Sequence, residues 1–228
     1  MRFYTNVQMI GNNFLVRGYE NGRKVMFQEK YNPTLFVKSK RETKYRTLEG
    51  EPVEPIKPGL VRDCRDFIKK YDGVEGFKVY GNERYQYQYI SDKYSEEEIK
   101  FDLNKIGLVT MDIEVQSEEG FPTPDSCSEE MLSISIQDYT TKQITTWGRY
   151  PYTPSQKNVT YHYHSDEIAR LEAFLYWWEQ NTPDVITGWN VRLYDIPYLC
   201  RRMSRIMGEK KMKLLSPWKM VDHQVIGI

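Results

Sequence analysis

Gly107 to Pro122 reads GLVTMDIEVQSEEGFP. Leu108, Val109, Met111, Ile113 and Val115 suit a buried β-strand; Asp112 and Glu114 do not. Residues two apart on a strand share a face, so the two carboxylates point one way while Met111, Ile113 and Val115 point the other. Side-by-side carboxylates repel, and burying them costs on the order of several kcal/mol each unless cations pair with them. A solvated strand face is the commonest setting for such a pair. Divalent cations are the other solution, and hard oxygen donors suit Mg2+ or Mn2+ rather than zinc.

Working outward, the residues before this strand, SEEEIKFDLNK (95–105), are charged and polar, and a domain boundary is expected near 104. Upstream, RFYTNVQMI, NFLVRGYE and RKVMFQEKY are strand-like pieces separated by Gly-Asn-Asn and Glu-Asn-Gly, which are hairpin signals. NPTLFVK continues them, a basic polar stretch follows (38–60), and VRDCRDFIKKY (61–71) has helical spacing. FKVYG and RYQYQYISDKY are read as further strands, the second with Tyr85, Tyr87 and Tyr89 on one face. Residues 1–104 therefore read as a small, mostly antiparallel α+β domain.

Downstream, strands are expected at 107–115, 132–138, 143–148 and 159–164. A helix is expected at 166–181 with Asp166 as N-cap, a short buried strand at 185–190 (VITGWN), and a helix at 194–208 ending at Gly208. That order predicts a mixed sheet flanked by helices over 105–228. The chain closes on VDHQVIGI, which reads as a stop partway through a domain.

Composition sets the outer bounds. The 228 residues are 39% hydrophobic and 28% charged with zero net charge, enough for a core and typical of a globular protein. No apolar run approaches the roughly 18 residues of a transmembrane helix, so no membrane partner is expected. The N-terminus lacks the apolar core of a signal peptide. Cys64, Cys127 and Cys200 are far apart, which argues against a disulfide framework and for a reducing, cytoplasmic setting. Basic surpluses at 37–46 and 201–219 are solvated faces or nucleic-acid contacts in equal measure. His162, His164 and His223 have no metal spacing with cysteine, and HExxH, GxSxG and the P-loop pattern are absent.

A two-metal site needs more carboxylates. Two divalent ions roughly 3.5–4 Å apart promote in-line attack of water on a phosphodiester. Asp195, in TGWNVRLYDIPYL, follows an apolar strand and opens a helix, so it can project at the strand's carboxyl end. Taken alone it is an ordinary helix N-cap. Asn190, just after the strand, can contact a nucleotide or fix the loop.

MDIEV and GWNVRLYDIPYL together resemble the first and second exonuclease motifs of family B DNA polymerases, and the match is closest to the T-even-like bacteriophage group. FYTNVQMIGNNF, YNPTLFVK and LSPWK resemble that group too, so the likeness covers nearly the whole chain. It implies a 3′–5′ proofreading domain of the ribonuclease H-like, DEDD exonuclease fold. It further implies that Asp112 bridges both metals, Glu114 binds the nucleophile-side metal and Asp195 holds the second. Phe121, in GFP, would touch the frayed primer end. Single-stranded DNA at the primer 3′ end is the implied partner.

The family's third motif, Tyr-x-x-x-Asp, is not found after Asp195, and the polymerase carboxylates are absent as well. The chain is therefore expected to be the N-terminal part of a longer or split polymerase, with weak or no exonuclease activity alone. A nucleic-acid-binding module is the alternative. In that reading Tyr87 and its strand neighbours stack bases, and RNA is a possible ligand.

Overall fold

The computed structural model describes residues 2–94, 99–118 and 120–222. The described chain divides into two compact units, Met1–Lys105 and Ile106–Ile228.

The first unit begins with three strands, β1 (Arg2–Ile10), β2 (Asn13–Glu20) and β3 (Arg23–Lys30), in one antiparallel sheet of order β1-β2-β3. The β2–β3 turn places Asn21 and Gly22 at φ of 51° and 77°, the left-handed conformations that two-residue hairpins demand. β4 (Leu35–Lys38), β5 (Tyr45–Arg46), β6 (Pro52–Ile56) and β7 (Val79–Tyr80) form a second sheet of order β5-β6-β4-β7. The pair β5–β6 lies in the basic, polar stretch at 38–60. Pro52 is the first residue of β6, and Pro55 lies beyond the part that β5 covers, positions where a sheet tolerates proline.

Helix α1 (Val61–Tyr71) begins where the Asp63 carboxylate accepts the Leu60 backbone N–H at 2.8 Å. RYQYQYIS is not a strand. It opens helix α2 (Tyr85–Lys93). Tyr85 and Tyr89 are one helical turn apart and both buried, whereas Tyr87 faces solvent. Tyr89 stacks on Phe14 with ring centroids 4.8 Å apart and meets Tyr31 edge-on at 5.4 Å. These rings, with Val16, Leu35, Val61 and Cys64, are the core of the unit. The three-tyrosine strand face therefore does not form.

In the second unit, β9 (Met131–Asp138) pairs antiparallel with both β8 (Leu108–Val115) and β10 (Ile144–Gly148). β11 (Val159–Tyr163) joins β10 in parallel. Helix α3 (Glu167–Asn181) follows, its N-cap Asp166 accepting the Ala169 N–H at 2.8 Å. β12 (Val185–Thr187) pairs in parallel with β8, giving a sheet of order β11-β10-β9-β8-β12. Helix α4 (Asp195–Met207), the short α5 (Glu209–Met212) and a single 3-10 turn complete the described chain. One face of the sheet is apolar: Met111, Ile113, Ile134, Ile136 and Trp147 pack with Leu171, Phe174 and Trp178 of α3 and Leu199 and Met203 of α4. The other face carries the alternate residues, among them Asp112 and Glu114 opposite Ser135 and Ser133.

β12 differs from the expectation of a buried strand. It is three residues long at a sheet edge, and its Val185 is 41% exposed. The apolar tail VDHQVIGI lies mostly outside the described residues, as do the first acidic residues of the expected boundary (95–98). No described helix is long and apolar enough to cross a membrane.

Candidate functional site

β8 is paired along its length with β9, but on its other edge β12 covers only Leu108 to Thr110. Beyond Thr110 that edge is met by two single residues. Gly188 approaches so closely that a Cβ there would lie 2.4 Å from the Met111 carbonyl oxygen. Two residues along β8, the Asp195 carboxylate accepts the Ile113 N–H at 3.1 Å. Asp195 thus replaces the strand partner that β12 no longer supplies, and the backbone it holds lies between Asp112 and Glu114.

The connection from β12 to α4 is a tight turn. Asn190 sits at φ 57°, a conformation Asn tolerates better than most residues, and its carbonyl accepts the N–H groups of Leu193 (3.0 Å) and Tyr194 (2.9 Å). Tyr194, not Asp195, is the residue preceding the first helical turn, so Asp195 does not cap its own helix. Its side chain serves the sheet instead.

Asp112 and Glu114 are exposed on the polar face of β8, and no hydrogen bond or ion pair engages either among the described residues. Asp195 is buried, at 3% exposure. Burial pushes its carboxyl above the usual carboxylate range. The Ile113 N–H opposes that shift, and the charges of Asp112 and Glu114 add to it. The Tyr194 phenol is likewise raised, by burial and then by Asp195 and Glu114. These mutual influences place all four groups in one neighbourhood. Among the described residues, however, no three His, Cys, Asp or Glu side chains stand together closely enough to hold an ion. The donor chemistry fits a hard cation, with two unpartnered carboxylates and a third beside them, but the three do not form a closed cage.

Phe121 is 79% exposed, and its ring leans on Tyr194 with centroids 5.2 Å apart. Its segment is anchored further along by α4. Arg201 pairs with Asp125, Arg202 donates to the Ser128 carbonyl at 2.6 Å, Arg205 donates to the Ser126 carbonyl at 3.0 Å, and the Tyr198 hydroxyl donates to the Glu129 carbonyl at 2.8 Å. Much of the basic surplus at 201–219 is consumed this way, since Lys211 and Lys213 also pair, with Glu172 and Glu209. Tyr87 belongs to α2 of the first unit. Tyr194 was not anticipated. Its only signal in the sequence is its place between the Asn190 turn and Asp195.

A family model described as DNA polymerase family B, exonuclease domain, matches residues 78–225. This chain belongs to the family B DNA polymerases. Among its relatives, the DNA-directed DNA polymerase of Escherichia phage RB69 is 30% identical over 252 aligned positions, covering 98% of this chain and 28% of that polymerase. The DNA-directed DNA polymerase of Enterobacteria phage T4 is 28% identical over 250 positions, with the same coverage. The chain thus spans little more than a quarter of the length of these curated relatives. Its fold is similar to that of a family B DNA polymerase from the hyperthermophilic archaeon Pyrobaculum calidifontis, with a TM-score of 0.60 at 18% identity over 91% of this chain and 33% of that one. The sheet around Asp112 and Glu114 is accordingly the ribonuclease H-like sheet of a family B exonuclease domain. The family match begins at residue 78, inside the first compact unit.

Proposed function

We propose that this chain carries part of a 3′–5′ exonuclease site within a DNA-directed DNA polymerase of a T-even-like phage, working in the cytoplasm of the infected cell. The observation that carries this reading is the pair of exposed, unpartnered carboxylates on β8 beside a buried Asp195 bonded to the backbone between them. The two like charges share one strand face, and a cation from outside the chain would relieve their repulsion.

Asp112 and Glu114 would hold Mg2+ or Mn2+, with Asp195 as the third donor. When bound, such ions make water a competent nucleophile at neutral pH and stabilise the departing oxygen. The substrate is the 3′ end of a DNA strand. Water adds to the terminal phosphorus, the P–O3′ bond breaks, and a nucleoside 5′-monophosphate leaves a strand one residue shorter with a free 3′-hydroxyl. The chain's own residues bind and orient. Asp195 keeps β8 in register through Ile113 N–H, the Phe121 ring meets the frayed end, and Asn190 fixes the turn between them. The remainder of a longer polymerase is the further partner, and hydrolysis by this chain alone is slow.

The test uses a 5′-labelled single-stranded oligonucleotide with Mn2+. Slow shortening from the 3′ end that disappears in Asp112→Ala is the expected result. A Mn2+ titration followed by electron paramagnetic resonance adds a readout independent of turnover, with at least one bound ion lost in the Asp112→Ala/Glu114→Ala variant. Equal metal binding and equal cleavage in variant and wild type would overturn the reading.

A further inference from the structure

We propose that Trp189 is a second stacking platform, holding an unpaired base of the strand whose end lies at the acid pair. This inference rests on the exonuclease reading.

The chain has five tryptophans. Trp147 and Trp178 are buried and Trp177 and Trp218 partly so, whereas Trp189 is 93% exposed. An indole in water forgoes a large apolar burial, so its position matters. Trp189 is not on a loose end. Before it, Gly188 abuts the Met111 carbonyl, and a Cβ at Gly188 would also lie 3.2 Å from the Val191 side chain. After it, Asn190 closes the turn with two accepted hydrogen bonds. The backbone on both sides of the indole is thus fixed, and Met111, which Gly188 touches, immediately precedes Asp112. The other exposed ring of the site, Phe121, comes from a separate segment and rests on Tyr194. Two exposed rings therefore come from different segments, one beside the residue that meets Met111 and one resting on Tyr194.

Electrostatics gives rings a use there. Asp112 and Glu114 repel phosphates, and Arg201, Arg202 and Arg205 of α4 spend donors on protein partners, which leaves Arg192, exposed in the turn before Asp195, as a cation for the strand. Affinity close to the acids therefore gains from contacts that do not depend on charge. Base–aromatic stacking is such a contact, and it tolerates any base because each has a π-face.

The experiment measures binding of single-stranded oligo(dT) to the full chain in Ca2+, by fluorescence anisotropy, for wild type, Trp189→Ala and Trp189→Phe. A matched oligonucleotide whose last two 3′ nucleotides lack bases is the second probe. Trp189→Ala is expected to weaken oligo(dT) binding about tenfold, or about 1.4 kcal/mol, within the range for one stacked base. Trp189→Phe keeps affinity within about twofold, because a ring remains. The penalty of Trp189→Ala vanishes on the base-free probe. Wild-type tryptophan emission is quenched by oligo(dT), and that of Trp189→Phe is not. Unchanged affinity in Trp189→Ala, or an equal loss on both probes, would overturn the role of Trp189 while leaving the exonuclease reading standing. Absence of binding by wild type would overturn both.

Discussion

The acids at the core of the first unit and those on β8 of the second are treated in opposite ways. In the first unit, Asp92 accepts the Tyr31 hydroxyl at 2.5 Å, and Glu29 is held by the Tyr89 hydroxyl and by Lys93 at 3.3 Å. Each of these acids spends its oxygens on donors from the same chain. At the β8 site of the second unit, Asp112 and Glu114 spend theirs on nothing among the described residues, and of the three acids there Asp195 alone is engaged, by a backbone N–H. A carboxylate that stabilises a fold is recognised by its donors. One kept for a ligand is recognised by their absence, and by the strain it puts on its neighbours' ionisation.

The largest effect that sharpens this contrast is catalytic. Asp112→Ala should lower 3′-end hydrolysis by about 10³-fold, the scale on which a group that stabilises developing charge acts. The same substitution should leave the thermal midpoint unchanged or slightly higher, since it removes a like-charge neighbour of Glu114. A gel assay and a calorimetric scan on one sample read both numbers, and a large drop in midpoint would place Asp112 with the structural acids.

Tyr31→Phe should do the reverse. It strips Asp92 of its donor and should cost about 1.5–3 kcal/mol in urea unfolding, the range for hydrogen bonds to charged groups, with little change in hydrolysis. The same phenols set an alkaline limit. Burial, then the carboxylates they donate to, hold Tyr31 and Tyr89 well above the usual phenol range. The folded state therefore keeps these protons while the unfolded chain releases them near pH 10. Their contribution to stability is complete below that pH and is lost above it, at about 1.4 kcal/mol per pH unit for each group. The Tyr31→Phe/Tyr89→Phe variant should show a shallower alkaline loss, followed by near-ultraviolet circular dichroism.

Asp195 lies between the two kinds of acid and separates charge from hydrogen bonding. Asp195→Ala leaves the buried Ile113 N–H without its acceptor and should cost about 1–3 kcal/mol. Asp195→Asn keeps an acceptor and removes the charge, so its stability should fall by less or rise. If both variants are equally destabilised, the bond to Ile113 is not what fixes Asp195. The smallest effect expected is that of Asp112→Asn on stability, within about 0.5 kcal/mol, as for an exposed position with no partner.

Much of the second unit was legible because its strands alternate plainly and its helices carry their own stop signals. Asp112 and Glu114 stood out in Leu108–Val115 because period-two alternation isolates them on one face. RYQYQYIS misled for the same reason. Tyr at every second position fits a strand, yet Tyr85 and Tyr89 equally fit one face of a helix. The choice was made by Phe14 and Tyr31, far away in sequence, whose rings receive Tyr89. β12 looked buried because Val-Ile is apolar, but a run of three residues cannot say whether it lies inside a sheet or at its edge. Asp195 read as a carboxylate projecting at the end of a strand, or taken alone as a helix cap, and only the early end of β12 shows why it turns to Ile113.

The hydrogen bond between Asp195 and Ile113 also makes one backbone amide a reporter for the site. While the carboxylate is held, that amide should exchange its hydrogen with solvent as slowly as the sheet allows. A ligand that draws Asp195 aside would expose a single N–H in the middle of β8. The exchange rate of Ile113, followed by nuclear magnetic resonance as Mg2+ is added, would register occupation of the site without any reaction having to take place.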